Sequence, residues 1–184
     1  MNMVGNVTNL PNKKYDIIYA DPPWHYQTWS EGSKRNVTSK YKTMSMQDIW
    51  DLPVNNIASD DCVLFMWVTY PKLIDCITTI QKWGFEYKTC GFSWVKKNKI
   101  SDSWFWGMGY WTRANNEICL LATKGKPKRV SMGVHQIVDD RIRKHSQKPD
   151  CVRDRIVDLC GDKPRIELFA RNTTPGWDVW GNEV

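Results

Sequence analysis

The stretch Ile17-Ile18-Tyr19-Ala20-Asp21-Pro22-Pro23-Trp24 constrains this chain more than any other. Tyr15 to Ala20 is a short, mostly apolar run rich in strand formers, the pattern of a strand covered on both faces in an α/β sheet. Asp21 stands where that strand stops, and the two prolines after it fix φ and remove two amide donors. The backbone must therefore leave the sheet stiffly, with free carbonyls, and Trp24 adds a flat apolar wall. A carboxylate, a rigid carbonyl and an indole this close together suit a planar heterocycle with an exocyclic amine: the amine hydrogens meet acceptors and the ring meets a stacking face. The alternative is a plain strand-ending turn with Asp21 as a capping residue, so the rest of the chain has to decide.

A length of 184 residues fits one full α/β domain and is too short for two comfortable ones. The expectation is a single domain over residues 1–184, with 1–14 as a loose lead-in and no separate target-recognition block. A net charge of +6 suits a polyanionic partner. Eleven tryptophans exceed what a core of this size needs, so some should be exposed where a π-face can meet a base. The six cysteines contain no C-x-x-C pair and have no nearby His, which favours buried reduced thiols over a zinc site or a disulfide framework. No stretch resembles a signal peptide or reaches the roughly 18 apolar residues of a membrane span, so a cytoplasmic protein is expected.

Residues 25–42 form a polar segment in which Tyr26, Trp29 and Tyr41 are interleaved with Ser, Thr, Lys and Arg; its length suits a lid over the turn, or a solvated loop. Ser45 is the natural N-cap of a short helix to Leu52. Cys62 to Val68 reads as a second buried strand, Pro71 to Trp83 as a helix ended by Gly84, and Tyr87 to Val95 as a third strand. That alternation argues for a parallel, doubly wound sheet. Lys96 to Asn116 then sets Lys96, Lys97 and Lys99 beside Trp104, Phe105, Trp106, Tyr110 and Trp111. Cations next to aromatics suit phosphates and bases; the competing reading is a satellite core under the loop.

Glu117 to Thr123 returns to a buried strand, and the basic segment 124–148 adds a second candidate phosphate surface with a short strand at Val134 to Val138. Pro149 opens a helix with Val152, Ile156 and Leu159 on one stripe and Gly161 past its end, and Arg165 to Ala170 is the next strand. The tail, Phe169 to Glu183, again runs from strand into polar turn, where ligands of open α/β sheets bind.

Taken together, Asp21-Pro22-Pro23-Trp24, Tyr41-Lys42-Thr43-Met44-Ser45, Leu64 to Thr69, Ser93 to Lys96, Gly109 to Arg113 with Asn116-Glu117, Ser146 to Asp150, Glu167 to Arg171 and Gly181-Asn182-Glu183 resemble the DPPW-motif MT-A-70 family of S-adenosylmethionine-dependent adenine N6-methyltransferases. The resemblance runs from about Tyr15 to the end. It implies a Rossmann-like class I methyltransferase fold, α/β with a mainly parallel sheet flanked by helices. The motif order is permuted, with the catalytic motif first and the cofactor motif last. It implies S-adenosylmethionine as cofactor and nucleic acid as partner, DNA rather than RNA in a bacterial or phage-infected cell, and leaves a homo- or heterodimer open. Asp21, Pro22, Pro23 and Trp24 match the catalytic turn; Asp21, Lys148, Phe169, Arg171, Asn182 and Glu183 match the cofactor pocket. Tyr41 and Trp67 match positions near the substrate cleft, which the aromatic and basic residues Tyr26, Lys96, Lys97, Trp104 and Trp106 would extend. Two rival classes remain at this stage: a non-catalytic nucleic-acid-binding partner subunit, against which the intact Asp21 carboxylate argues, and an amino-methyltransferase for cytosine or a protein amide.

Overall fold

The computed structural model describes residues 10–24, 44–144 and 146–184. The expected lid, with Tyr26 and Tyr41, lies outside the described residues, as does most of the lead-in. Among those described, seven strands form one sheet: β1 (Tyr15–Ala20), β2 (Ala58–Val68), β3 (Glu86–Lys97), β4 (Asn116–Lys124), β5 (Ile137–Arg141), β6 (Arg165–Leu168) and β7 (Asp178–Trp180), in the order β5-β3-β4-β2-β1-β6-β7. The helices are α1 (Met46–Trp50), α2 (Leu73–Lys82) and α3 (Cys151–Cys160).

β1 lies between β2 and β6 and runs parallel to both. Its neighbours on one side precede α3 in the chain and those on the other side follow it, so the sequence switches sides of the sheet at β1. In open α/β sheets the crevice at such a switch point, outside the carboxyl ends of the strands, is where ligands sit. Successive side chains alternate faces. Ile18, Ala20, Leu64, Met66, Leu120, Ile166 and Leu168 pack with Ile49, Cys76, Ile80 and Trp83 from the α1 and α2 side. Ile17, Tyr19, Phe65, Trp67, Phe92, Trp94 and Cys119 pack with Val152, Ile156 and Cys160 of α3. Burial on both faces explains why β1 and β2 read as continuous apolar runs rather than as alternations.

Local signals hold where they are chemical. Ser45 caps α1, its hydroxyl accepting from the Asp48 amide at 3.1 Å while the Asp48 carboxylate accepts from the Ser45 amide at 3.2 Å, a capping box. A 3₁₀ turn over Tyr70–Lys72, with Pro71 in its first turn, leads into α2, and Gly84 follows with φ of 83°. All six cysteines are free thiols.

Three features differ from the sequence reading. β4 is antiparallel to both β2 and β3. Parallel neighbours need a crossover, usually helical, and no helix lies between Lys97 and Asn116 among the described residues; a hairpin-like return is what such a connection permits. The strand in the basic segment is Ile137–Arg141, three residues later than expected. The direction of β4 also divides that segment. Lys124 pairs with Cys62 at the start of β2, so Lys124, Lys126, Lys128 and Arg129 leave from the edge of the sheet opposite the carboxyl end of β1. Only the part from Arg141 onward lies at the near edge, next to Lys97.

Arg153 ties α3 to the sheet: Nε donates to Glu167 Oε2 at 2.7 Å, a terminal nitrogen donates to Oε1 at 2.8 Å, and the guanidinium lies 5.7 Å from the Tyr19 ring centroid. Glu167 is buried, so Arg153→Met strands a carboxylate away from water. The expected loss is about 3–5 kcal/mol of unfolding free energy in urea denaturation; a loss below about 1 kcal/mol would show that solvent reaches and satisfies Glu167.

Candidate active site

The stiff turn after β1 is held from three directions. The Asp21 amide donates to the Leu168 carbonyl at 3.5 Å, a long contact toward the end of β6. The Trp24 amide donates to the Pro22 carbonyl at 2.8 Å, a tight three-residue turn about Pro23. The Trp24 indole donates to the Trp67 carbonyl at 3.0 Å, pinning the turn to the end of β2. One lone pair of the Pro22 carbonyl is thus used internally and one remains. Trp24 is only 5 % exposed and packs in the core beside α1 and α2, so it braces the turn instead of presenting a wall.

Four charged side chains alternate in sign across this edge. The Lys148 ammonium donates to Asp21 Oδ2 at 2.8 Å and lies 3.3 Å from Glu117 Oε2. The Lys96 ammonium bonds Glu117 Oε1. Asp21 follows β1, Lys96 is the next-to-last residue of β3, Glu117 is the second residue of antiparallel β4, and Lys148 precedes α3. Only the observed sheet order gathers them. Trp67 lies beneath the row, fully buried, its ring centroid 5.7 Å from the Lys148 nitrogen and its indole donating to the Tyr19 hydroxyl at 2.5 Å.

Burial acts on each member, and the neighbours decide the outcome. Burial pushes the Asp21 carboxyl above its ordinary 3.8, more than Lys148 pulls it down. For Glu117, burial is outweighed by Lys148 and then Lys96, and its carboxyl sits below the usual value. Burial would lower Lys148, but Asp21 and Glu117 overcome it and hold the ammonium above its usual range.

Beside Asp21 opens a cavity of about 270 Å³, bordered by Lys144, Gln147, Lys148, Phe169, Arg171 and Glu183, with Tyr19, Glu167 and Asn172 also on its wall. Phe169 has φ of 62°, a conformation that costs a non-glycine residue about 1–3 kcal/mol and that sharply redirects the chain after β6. Gly181 lies so close to the segment after β6 that a Cβ there would sit 2.4 Å from the Ala170 carbonyl oxygen. Arg171 and Glu183 face one another at 3.7 Å.

Of the expected cofactor residues, Asp21, Lys148, Phe169, Arg171 and Glu183 therefore border one cavity, whereas Asn182 is exposed and outside its lining. Of the expected substrate residues, Trp104 and Trp106 are 42 % and 61 % exposed on the β3–β4 connection, whose tip also carries Tyr110 and Trp111 in solvent, so the connection is not a satellite core. Lys97 pairs with Asp139 at 2.9 Å and lies 5.7 Å from the Trp104 ring. Lys96 is paired with Glu117 and so belongs to the ion row. The sequence reading gave no role to Glu117, Glu167 or Gln147. For the two glutamates a signal existed: each is a charge inside an otherwise apolar strand run.

A methyltransferase family model, MT-A70, matches residues 15–183. The chain belongs to the MT-A70 family. It is 38% identical to the type II methyltransferase M.MunI of Mycoplasma sp over 95% of this chain and 80% of that protein. It is 30% identical to an N(6)-adenosine-methyltransferase MT-A70-like protein of Drosophila melanogaster and 29% identical to the human N(6)-adenosine-methyltransferase catalytic subunit METTL3, each over 93% of this chain. The chain spans only 27% and 28% of the length of those two relatives. It is a methyltransferase with the permuted order that puts Asp21 near its start and the Phe169 to Glu183 region at its end.

Burial raises the Asp21 carboxyl, so a reaction that uses it as a carboxylate should fall with decreasing pH through a midpoint above the ordinary 3.8. A pH profile of kcat/KM checks this: a rate that holds level down to the ordinary aspartate range would mean Asp21 is not the group that must be ionised.

Proposed function

We propose that this enzyme transfers a methyl group from S-adenosylmethionine to the exocyclic N6 amine of adenine in nucleic acid, with DNA as the substrate. The observation that carries the reading is the Asp21 carboxylate, held by Lys148 on one oxygen and with no hydrogen-bond partner on the other among the described residues, at the mouth of a cavity at the switch point of the sheet. DNA is favoured because the chain is 38% identical to the type II methyltransferase, against 29% to the human N(6)-adenosine enzyme.

The donor set beside Asp21 fits a zwitterionic nucleoside cofactor. Lys144 and Arg171 offer cations for a carboxylate, Lys148 borders the same space while bonded to Asp21, Glu183 and Asn172 offer acceptors and donors for amine and hydroxyl groups, and Phe169 gives an apolar surface. Asn182, exposed at the rim, would reach only the outer part of such a molecule. When bound, S-adenosylmethionine supplies a methyl group made electrophilic by its sulfonium.

The protein's task is to make a poor nucleophile react. The adenine amine is weak because its lone pair is delocalised into the ring. Asp21, through the oxygen that Lys148 leaves open, accepts one amine hydrogen, and the remaining lone pair of the Pro22 carbonyl accepts the other. That geometry draws the nitrogen toward a tetrahedral arrangement and localises the pair. The Asp21 carboxylate then favours the positive charge that develops on nitrogen, and its raised proton affinity suits it to take the proton that the methylated amine sheds. Holding the reactants aligned accounts for about 7–11 kcal/mol of barrier reduction in well-oriented systems. In a duplex the base must first leave the stack, and exposed Trp104 and Trp106 offer stacking faces near the edge where β3 ends and β4 begins. Lys99 and Arg113, both exposed, are the phosphate cations of that surface.

Two variants test the reading. Asp21→Ala should abolish methylation while leaving a folded protein, and Asp21→Asn should be nearly as inactive because an amide accepts a hydrogen but no longer opposes the new charge. Tritium transfer from labelled cofactor to DNA, with mass analysis of the nucleosides, checks this; retention of more than about a tenth of wild-type turnover, a loss below about 1.4 kcal/mol, would remove Asp21 from the chemistry. The same assay run on RNA decides the substrate class, and a preference for RNA would overturn the DNA reading.

A further inference from the structure

The ion row contains a member that the chemistry above does not use. Lys96, the next-to-last residue of β3, is 16 % exposed and has its ammonium bonded to Glu117 Oε1 and 4.9 Å from the Trp94 ring centroid. The other oxygen of Glu117 lies 3.3 Å from the Lys148 ammonium, which keeps its shorter 2.8 Å bond to Asp21. We infer that Lys96 is a positioning residue: by matching the charge of Glu117 it weakens that carboxylate's hold on Lys148 and so commits the Lys148 ammonium to Asp21.

With Lys96 present the row holds two carboxylates and two ammoniums, and Lys148 is drawn to Glu117 only weakly. Without Lys96 the same Lys148 faces two carboxylates alone, and an unmatched Glu117 competes for it in a site where screening is weak. The Asp21 bond then lengthens and the carboxylate loses the contact that sets its orientation toward substrate. Among the described residues, the charged and titratable groups that bear on Asp21 are Lys148 from the segment before α3, Glu117 and the Cys119 thiol from β4, and Arg171 from beyond β6. Lys96 reaches Asp21 only through this set. It is also a poor phosphate ligand, being paired and largely buried, whereas nearby Lys99 is exposed.

This inference rests on Asp21 as the acceptor of the amine, so one of its readouts requires no catalysis. The Asp21 carboxyl carbon is titrated by NMR in the substrate-free protein, and kcat is measured on DNA. Lys96→Met should raise the Asp21 midpoint by about one pH unit and lower kcat about tenfold. Lys96→Arg should leave both near wild type. Adding Glu117→Gln to Lys96→Met should bring the midpoint back and recover most of kcat, because the competitor for Lys148 is gone. A lysine that merely braces β3 against β4 would not be rescued by discharging Glu117. If Lys96→Met does not fold, Lys96→Gln, which still donates to Glu117 without its charge, serves the same comparison. An unchanged Asp21 midpoint in the single variant, or a double variant no closer to wild type than the single, overturns the inference. If the midpoints shift and return as stated but no form of the protein methylates adenine, the role of Lys96 stands and the proposed reaction fails.

Discussion

The bond between Lys148 and Asp21 joins residues 127 positions apart and fixes what the edge of this sheet can do. Taking a carboxylate and an ammonium out of water costs several kcal/mol each, and their mutual attraction offsets this only when geometry and further partners are right. Here those partners are Glu117 and, behind it, Lys96. The four charges cancel, and the Trp67 and Trp94 rings lie under the two ammoniums. Such a row has to be assembled by the whole fold, since its members come from β1, β3, β4 and the segment before α3. Antiparallel β4 is what allows it: running against its neighbours, it brings its first residues, Asn116 and Glu117, to the edge where the other strands end.

The same sheet separates two kinds of surface. At the near edge lie the Asp21 turn, the cavity, the β3–β4 connection with its exposed tryptophans, and Arg141. Arg141 donates to the Ser101 carbonyl at 2.8 Å and pairs with Asp102 at 2.5 Å, tying that connection to β5. At the far edge lie Lys124, Lys126, Lys128 and Arg129, a strand's length from the chemistry. A basic sequence is therefore a poor guide to where nucleic acid meets this protein. Of the segment that looks uniformly basic, half is remote from the site.

The sequence made the elements legible wherever a local rule governs them. The apolar run ending in Asp21, the Ser45 capping box, the Pro71 entry to α2 and the Pro149 and Gly161 boundaries of α3 are consequences of dihedral limits and of unsatisfied backbone groups, and they need no knowledge of neighbours. The cofactor-side residues Lys148, Phe169, Arg171 and Glu183 came from the motif resemblance, and they share a wall of the cavity with Asp21. What pattern could not give was sheet order and the pairing that follows from it. Lys96 reads as one of three lysines beside aromatics until β4 sets Glu117 next to it. Trp24 reads as a stacking face and Trp67 matches a position near the substrate cleft, yet both are buried, because a side chain at a strand's end turns inward or outward according to which element packs beside it. The glutamates within apolar strands carried the missing information, since a charge in a buried run implies a partner.

The central claim is that adenine's amine is presented to Asp21 and the Pro22 carbonyl at the edge where the cavity opens. A crystal structure of the protein with S-adenosylhomocysteine and an adenine-containing oligonucleotide tests it most directly. The account predicts the cofactor product in the cavity between Phe169, Arg171 and Lys148, and the adenine amine within hydrogen-bonding distance of the Asp21 oxygen that Lys148 leaves open. An adenine bound with its amine turned away from Asp21, or a cofactor product seated elsewhere on the protein, would contradict it.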